Sequence, residues 1–152
     1  MKQFLISLFC ILAMISISAC GSTDTETKIS SSEECSMKLL INEKEIPVIW
    51  ENNDSVSEIM EETSKGDITV SMSMYSDNEQ VGSLGKSYTR NDKQTTTHNG
   101  YIVLYSGSNI VLFYGSNSWA YTRLGKMDLS EAEVTELLSN GDVSVRLTST
   151  QN

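Results

Sequence analysis

The chain has 152 residues, with 20 acidic against 11 basic side chains, one His, three Cys and one Pro, for a formal charge of −9. That length holds one domain of ordinary size, which excludes a multidomain enzyme. Fifteen of the first twenty residues are apolar and no later run is comparable, which excludes a polytopic membrane protein; the acidic balance excludes nucleic acid as a partner, since phosphate backbones are bound by basic side chains.

Lys2 is followed by sixteen uncharged residues, Phe4 to Ala19, and then by Cys20 and Gly21. A charged start, a short apolar run and small residues at its end have the pattern of a signal peptide, and the run is too short for a spanning helix. Ile17-Ser18-Ala19-Cys20 resembles the lipobox of bacterial lipoprotein signal peptides. The resemblance implies that residues 1–19 are removed and that Cys20, acylated with diacylglycerol and palmitate-type chains, becomes the first residue. The alternatives are a plain secretory signal cut after Ala19 and a buried amino-terminal helix. At about 0.8 kcal/mol per buried methylene, two or more acyl chains hold a small domain stably. The expected location is therefore the extracytoplasmic face of the cell membrane, with the membrane as a partner through the lipid anchor.

Cys10 leaves with the leader and Cys20 carries the lipid, so Cys35 is the one thiol left. Glu33 and Glu34 beside it disfavour a reactive thiolate. Residues 20–36 read as a flexible polar tether, with a root-mean-square span of roughly 20–25 Å. Removal of Lys2 leaves 20 acidic against 10 basic residues, so the domain is repelled by anionic headgroups rather than lying on them.

A domain over residues 37–150 follows. Met37 to Ile41 and Ile46 to Trp50 predict a hairpin across Asn42-Glu43-Lys44. Val56, Ile59 and Met60 have helical spacing, preceded by Ser55 with Glu58 three residues on, a capping-box arrangement, and Gly66 is the stop. Ile68 to Met74 alternates as a half-buried strand. Tyr101 to Tyr105 and Ile110 to Tyr114 predict a second hairpin with strands apolar on both faces. Trp119 to Leu124 is a further strand. Val134, Leu137 and Leu138 mark a second helix after Ser130 and Glu133, with Gly141 beyond it, and Val143, Val145 and Leu147 alternate at the end. The pattern predicts a mostly β fold, a barrel of about eight strands closed or nearly closed, with two short helices at its ends.

Gly82-Ser83-Leu84-Gly85, Arg90-Asn91-Asp92 and Tyr114-Gly115-Ser116-Asn117-Ser118-Trp119 occur in an order that resembles the small bacterial cyclophilin-like proteins. The resemblance is densest over residues 81–127 and extends more weakly over 37–148. It implies a cyclophilin-like closed barrel with two capping helices. Cyclophilins isomerise Xaa-Pro bonds with an Arg that polarises the amide and apolar residues that grip the proline ring. The Phe-x-x-Gln segment expected after that Arg is absent, and Arg90 and Gln94 are the nearest substitutes, in a long polar loop.

Other patterns point to turns and structural contacts. Gly85-Lys86-Ser87 lacks the first Gly of a phosphate loop, since Gln80 stands there. His98 has no motif partner for catalysis, and no metal or cofactor is expected. Asp92 orients Arg90 or bridges loops. Tyr114, Asn117, Trp119, Tyr121 and Arg123 are the most informative cluster. Alternation sets Trp119, Tyr121 and Arg123 on one side of their strand, where either they form a recognition surface for a peptide, protein or sugar, facing Arg90 and Gln94 across a shallow groove, or Trp119 and Tyr121 pack under a helix as core while Arg123 closes an ion pair. The expected function is a membrane-anchored binding or accessory module with no assigned catalytic residue. The alternatives are a peptidyl-prolyl isomerase with a remodelled site acting on secreted proteins, and an accessory of a redox system as partner.

Overall fold

The computed structural model describes residues 36–150; the leader, Cys20 and the tether up to Cys35 lie outside them. Strand β1 (Ser36–Ile41) turns into β2 (Lys44–Ile46) through Asn42 and Glu43, both at positive φ (48° and 64°), the backbone that a two-residue hairpin loop requires. The expected strand Ile46 to Trp50 is interrupted at Pro47, which has no N–H to give to a ladder. Beyond it β3 (Val48–Trp50) pairs in a different sheet.

The same happens on the opposite side. The alternating run from Ile68 divides into β4 (Ile68–Ser71) and β5 (Ser73–Tyr75) at Met72, whose side chain is buried and whose N–H bonds the Val143 carbonyl. The remaining strands are β6 (Glu79–Ser83), β7 (Lys93–Thr96), β8 (Tyr101–Tyr105), β9 (Asn109–Phe113), β10 (Ser118–Met127) and β11 (Ser144–Thr150). One sheet runs β2-β1-β11-β4, and the other runs β3-β10-β8-β9-β6-β5 with β7 added beside β10. Each end strand of the first sheet therefore continues, after one residue, into an end strand of the second. With each bent pair counted as one, the described strands run in a circle of eight, the mostly β architecture anticipated, and β7 is additional.

Strand crossing brings the two sheets close. A Cβ on Gly82 of β6 would lie 2.4 Å from Val70 Cγ1, 2.6 Å from Met72 Sδ and 2.9 Å from the Ser71 carbonyl, so only glycine fits beneath this corner. Between the sheets lies the main core, with Leu39, Ile41, Val145 and Leu147 from one and Ile102, Leu104, Ile110, Leu112 and Leu124 from the other.

Helix α1 (Asp54–Lys65) buries Val56 and Ile59 against that core, and α2 (Glu131–Leu138) buries Val134 and Leu138. The capping box of α2 is present as anticipated, with Ser130 and Glu133 bonding reciprocally. That of α1 is not. Its N-cap is Asn53, which accepts from the Val56 N–H at 3.0 Å, while Glu58 turns outward to accept the Thr89 N–H at 2.8 Å and the Thr89 hydroxyl. Those bonds hold the Glu58 carboxyl below its ordinary range.

Candidate functional site

Strands β8 and β9 are apolar on both faces, and only one face belongs to the main core. Register identifies what shares the other. Glu79 is opposite Phe113 and Tyr75, Val81 is opposite Val111, Val111 is opposite Val103, and Val103 is opposite Arg123. Facing residues in an antiparallel ladder lie on the same side of the sheet. On this outer side Val103, Val111, Phe113 and Tyr121 form a second buried cluster, with Val81 and Tyr101 packed against it. Both helices pack into the main core, so neither covers this face.

Val111 and Tyr121 of that cluster line an open cavity of about 400 Å³. Val111, Tyr121 and Glu79 are buried in it, while Tyr75, Tyr105 and Trp119 line it with 63%, 39% and 58% of their surfaces exposed. Val81 and Asn117 complete the lining. Tyr121 meets both Tyr105 and Phe113 edge to face, with ring centres 6.0 and 5.7 Å apart, and its hydroxyl accepts from Asn117 Nδ2 at 3.1 Å. A cavity of slightly greater volume, about 420 Å³, lies beside α2, but Lys44, Glu133, Glu136, Asn140 and Asp142 make its lining more polar than that of the outer face. Apolar lining with a few convergent polar groups distinguishes ligand sites from surface hollows, which favours the outer-face cavity.

Glu79 is the anomaly in that lining. Only 6% of it is exposed, its Oε2 is enclosed without a hydrogen-bond partner, and no ion pair among the described residues reaches it. Burial pushes its pKa up. Burial likewise pushes the Tyr121 phenol up.

The residues singled out from sequence separate into two groups. Asn117, Trp119 and Tyr121 meet in the cavity. Trp119 is exposed rather than core, while Tyr121 is both buried and cavity-lining. Arg123 is on the same side of β10 but is already engaged, with Nη2 2.9 Å from Glu51 Oε1 and its guanidinium 4.6 Å from the Tyr101 ring centre. It lines a separate polar groove with Glu51, Asn91 and Lys93. Tyr114 faces inward, in the main core, with its hydroxyl unpartnered.

Gln94 lies on a strand, β7, rather than in a loop, paired with Ala120. It therefore points away from Trp119, whose partner is Thr95. Arg90 lies in the segment before β7, where its side chain packs over Gly107 and its Nε donates to Asp92 Oδ2 at 2.9 Å. Asp92 also accepts the Thr122 hydroxyl at 2.6 Å. Partial burial raises the Asp92 pKa, but the bonds from Arg90 and Thr122 outweigh it and hold the carboxyl low. Asp92 thus both orients Arg90 and ties its loop to β10. His98 packs edge to face on Tyr101, with no cluster of metal-ligating residues among the described ones.

Sequence patterning missed Glu79, Tyr75 and Tyr105. Glu79 is in a strand whose polar residues conceal it, because Gln80 beside it is buried for a different purpose: its amide donates to the Leu138 and Gly141 carbonyls at 2.7 and 2.8 Å, closing the end of α2. The detectable signal was the two-faced apolar character of β8 and β9, which requires something beyond one core.

A family model described as the cyclophilin-like family matches residues 39–148. No curated protein and no solved structure matches.

Proposed function

The chain belongs to the cyclophilin-like family, and from that premise we propose that it is a binding module whose ligand occupies the outer-face cavity, presented outside the cytoplasm by a lipid on Cys20. One observation carries the binding reading. A sheet face bearing a buried apolar cluster is left uncovered by both helices, with Trp119, Tyr75 and Tyr105 standing exposed around it. Contiguous exposed aromatic surface is characteristic of interaction sites.

The isomerase alternative needs a free cation poised over an apolar grip. Arg90 is bound to Asp92 and does not line the cavity, so binding is the better-supported reading. An accessory role in a redox system is compatible with a binding module, whose partner would then use this face. The location is a separate proposal resting on Lys2, the uncharged run and Ile17-Ser18-Ala19-Cys20.

The two parts are tested separately. Titration of the full chain with blocked amino-acid amides, followed by Trp fluorescence, should give saturable changes that Trp119→Ala removes. Unchanged fluorescence with every amide would remove the binding reading. For location, Cys20→Ser should stop membrane fractionation of the mature form, and a mature-sized Cys20→Ser protein still in the membrane fraction would overturn the anchor.

A further inference from the structure

Resting on the outer-face cavity as the ligand site, we infer that its ligand carries a protonated amine or guanidinium on an apolar stem, which docks against Glu79. An enclosed carboxylate oxygen with no donor is costly to keep, and Glu79, whose Oε2 is such an oxygen, is a lining residue of an open cavity rather than of a sealed core. Its ladder partner Tyr75 stands beside it, and Tyr105, Tyr121 and Trp119 complete an aromatic surround. Aromatic faces attract cations through their quadrupole, and a carboxylate among them supplies the opposite charge and a hydrogen-bond acceptor, to which the cation's N–H would donate.

No basic side chain lines the cavity. Arg90 is engaged with Asp92 and Arg123 with Glu51. The overall charge of −9 also draws cations toward the domain. A neutral apolar ligand would fill the volume but leave Oε2 without a donor. An anionic one would meet Glu79 with like charge. A lysine or arginine side chain, or a free alkylamine, satisfies both the aromatic walls and the carboxylate.

The test uses the full chain and three probes read by the Trp119 indole resonance: Nα-acetyl-lysine N-methylamide, its Nε-acetylated neutral counterpart, and n-butylammonium. The lysine amide should bind at least roughly tenfold more tightly than the neutral counterpart, the scale of one charge-assisted hydrogen bond. Glu79→Gln should reduce that ratio to near one, chiefly by weakening the lysine amide. Tyr75→Leu, at an exposed position, should weaken the lysine amide by roughly threefold through loss of one ring face. Butylammonium binding as tightly as the lysine amide assigns a free amine, and weaker butylammonium binding assigns a peptide side chain; either supports the inference. Equal binding of the charged and neutral amides, or a preference that survives Glu79→Gln, overturns the cation while leaving the cavity as the site. If no probe moves the Trp119 resonance, both fail.

Discussion

A site that keeps an unpaired carboxylate should be less stable than one that does not, so Glu79→Leu is expected to stabilise the domain. The variant removes the enclosed Oε2 and sets an apolar side chain opposite Phe113 and Tyr75. An unsatisfied buried acceptor costs about 1–3 kcal/mol, and the openness of the cavity favours the lower part, about 1–2 kcal/mol. For a domain of this size that is a rise in Tm of about 4–8 °C at neutral pH. The pH dependence gives a second check. The folded-state pKa of Glu79 is raised by burial above its ordinary value of 4.5. Well below 4.5 the group is protonated in both states and its ionisation adds no cost to folding. As pH rises the unfolded chain ionises first, the folded state binds more protons, and wild-type stability falls until the folded pKa is passed. The advantage of the leucine variant should therefore be smaller at pH 4, grow through the window above 4.5 and then level off. Neighbouring ionisable groups are Asp77, Tyr75, Tyr114 and Tyr121, and burial pushes the Tyr114 and Tyr121 phenols up, away from this window. Urea unfolding of both proteins at several pH values measures the difference directly. A leucine variant that is less stable at pH 7, or an advantage that does not change with pH, would refute the reasoning.

Gly82→Ala should destabilise by about 3 kcal/mol, the upper end of overpacking costs, because one of its contacts is the Ser71 backbone carbonyl; a midpoint in urea equal to wild type would contradict the close approach of the sheets. Asn53→Ala should lose about 1–2 kcal/mol in the same assay through the missing cap of α1 and the Arg123 carbonyl bond at 2.9 Å. Trp119→Ala should change stability by less than about 1 kcal/mol, since 58% of the residue is exposed, yet abolish binding of the lysine amide. A proline-switch peptide assay should show no acceleration. Catalysis that Arg90→Ala removes would transfer the account to the isomerase reading.

What could be read from the chain and what could not follows from the reach of periodic patterns. Val134, Leu137 and Leu138 after a Ser130–Glu133 box define α2 because capping is local, and the run Ile68 to Met74 announces a strand because alternation is local too. Neither tells that Met72 is a corner, since bending depends on which sheet each half joins. Strand β6 contains Glu79, Gln80 and Gly82, each there for a distant partner: the cavity, the end of α2, and the strand β4. Gln94 looked like loop because its neighbours are polar, and it is in a strand because β10 offers a free ladder. Ser55 was the nearest capping residue to the apolar stripe, but Asn53 reaches the helix N–H groups and frees Ser55 to bond the Thr89 carbonyl at 2.6 Å. Trp119 and Tyr121 were recognisable as a pair, whereas Tyr75 and Tyr105 join them only through sheet order.

The outer face as a ligand surface is most directly tested by the two tryptophan side-chain resonances, since the chain has only Trp50 and Trp119. Trp50 is the internal control: its indole N–H is bonded to the Met37 carbonyl at 2.7 Å, it packs against the main core, and it is not among the cavity-lining residues. In titrations of the full chain with blocked lysine, leucine, proline and phenylalanine amides, at least one probe should move the Trp119 indole saturably and leave Trp50 still. Movement of neither indole with any probe, or of both together, would contradict the account.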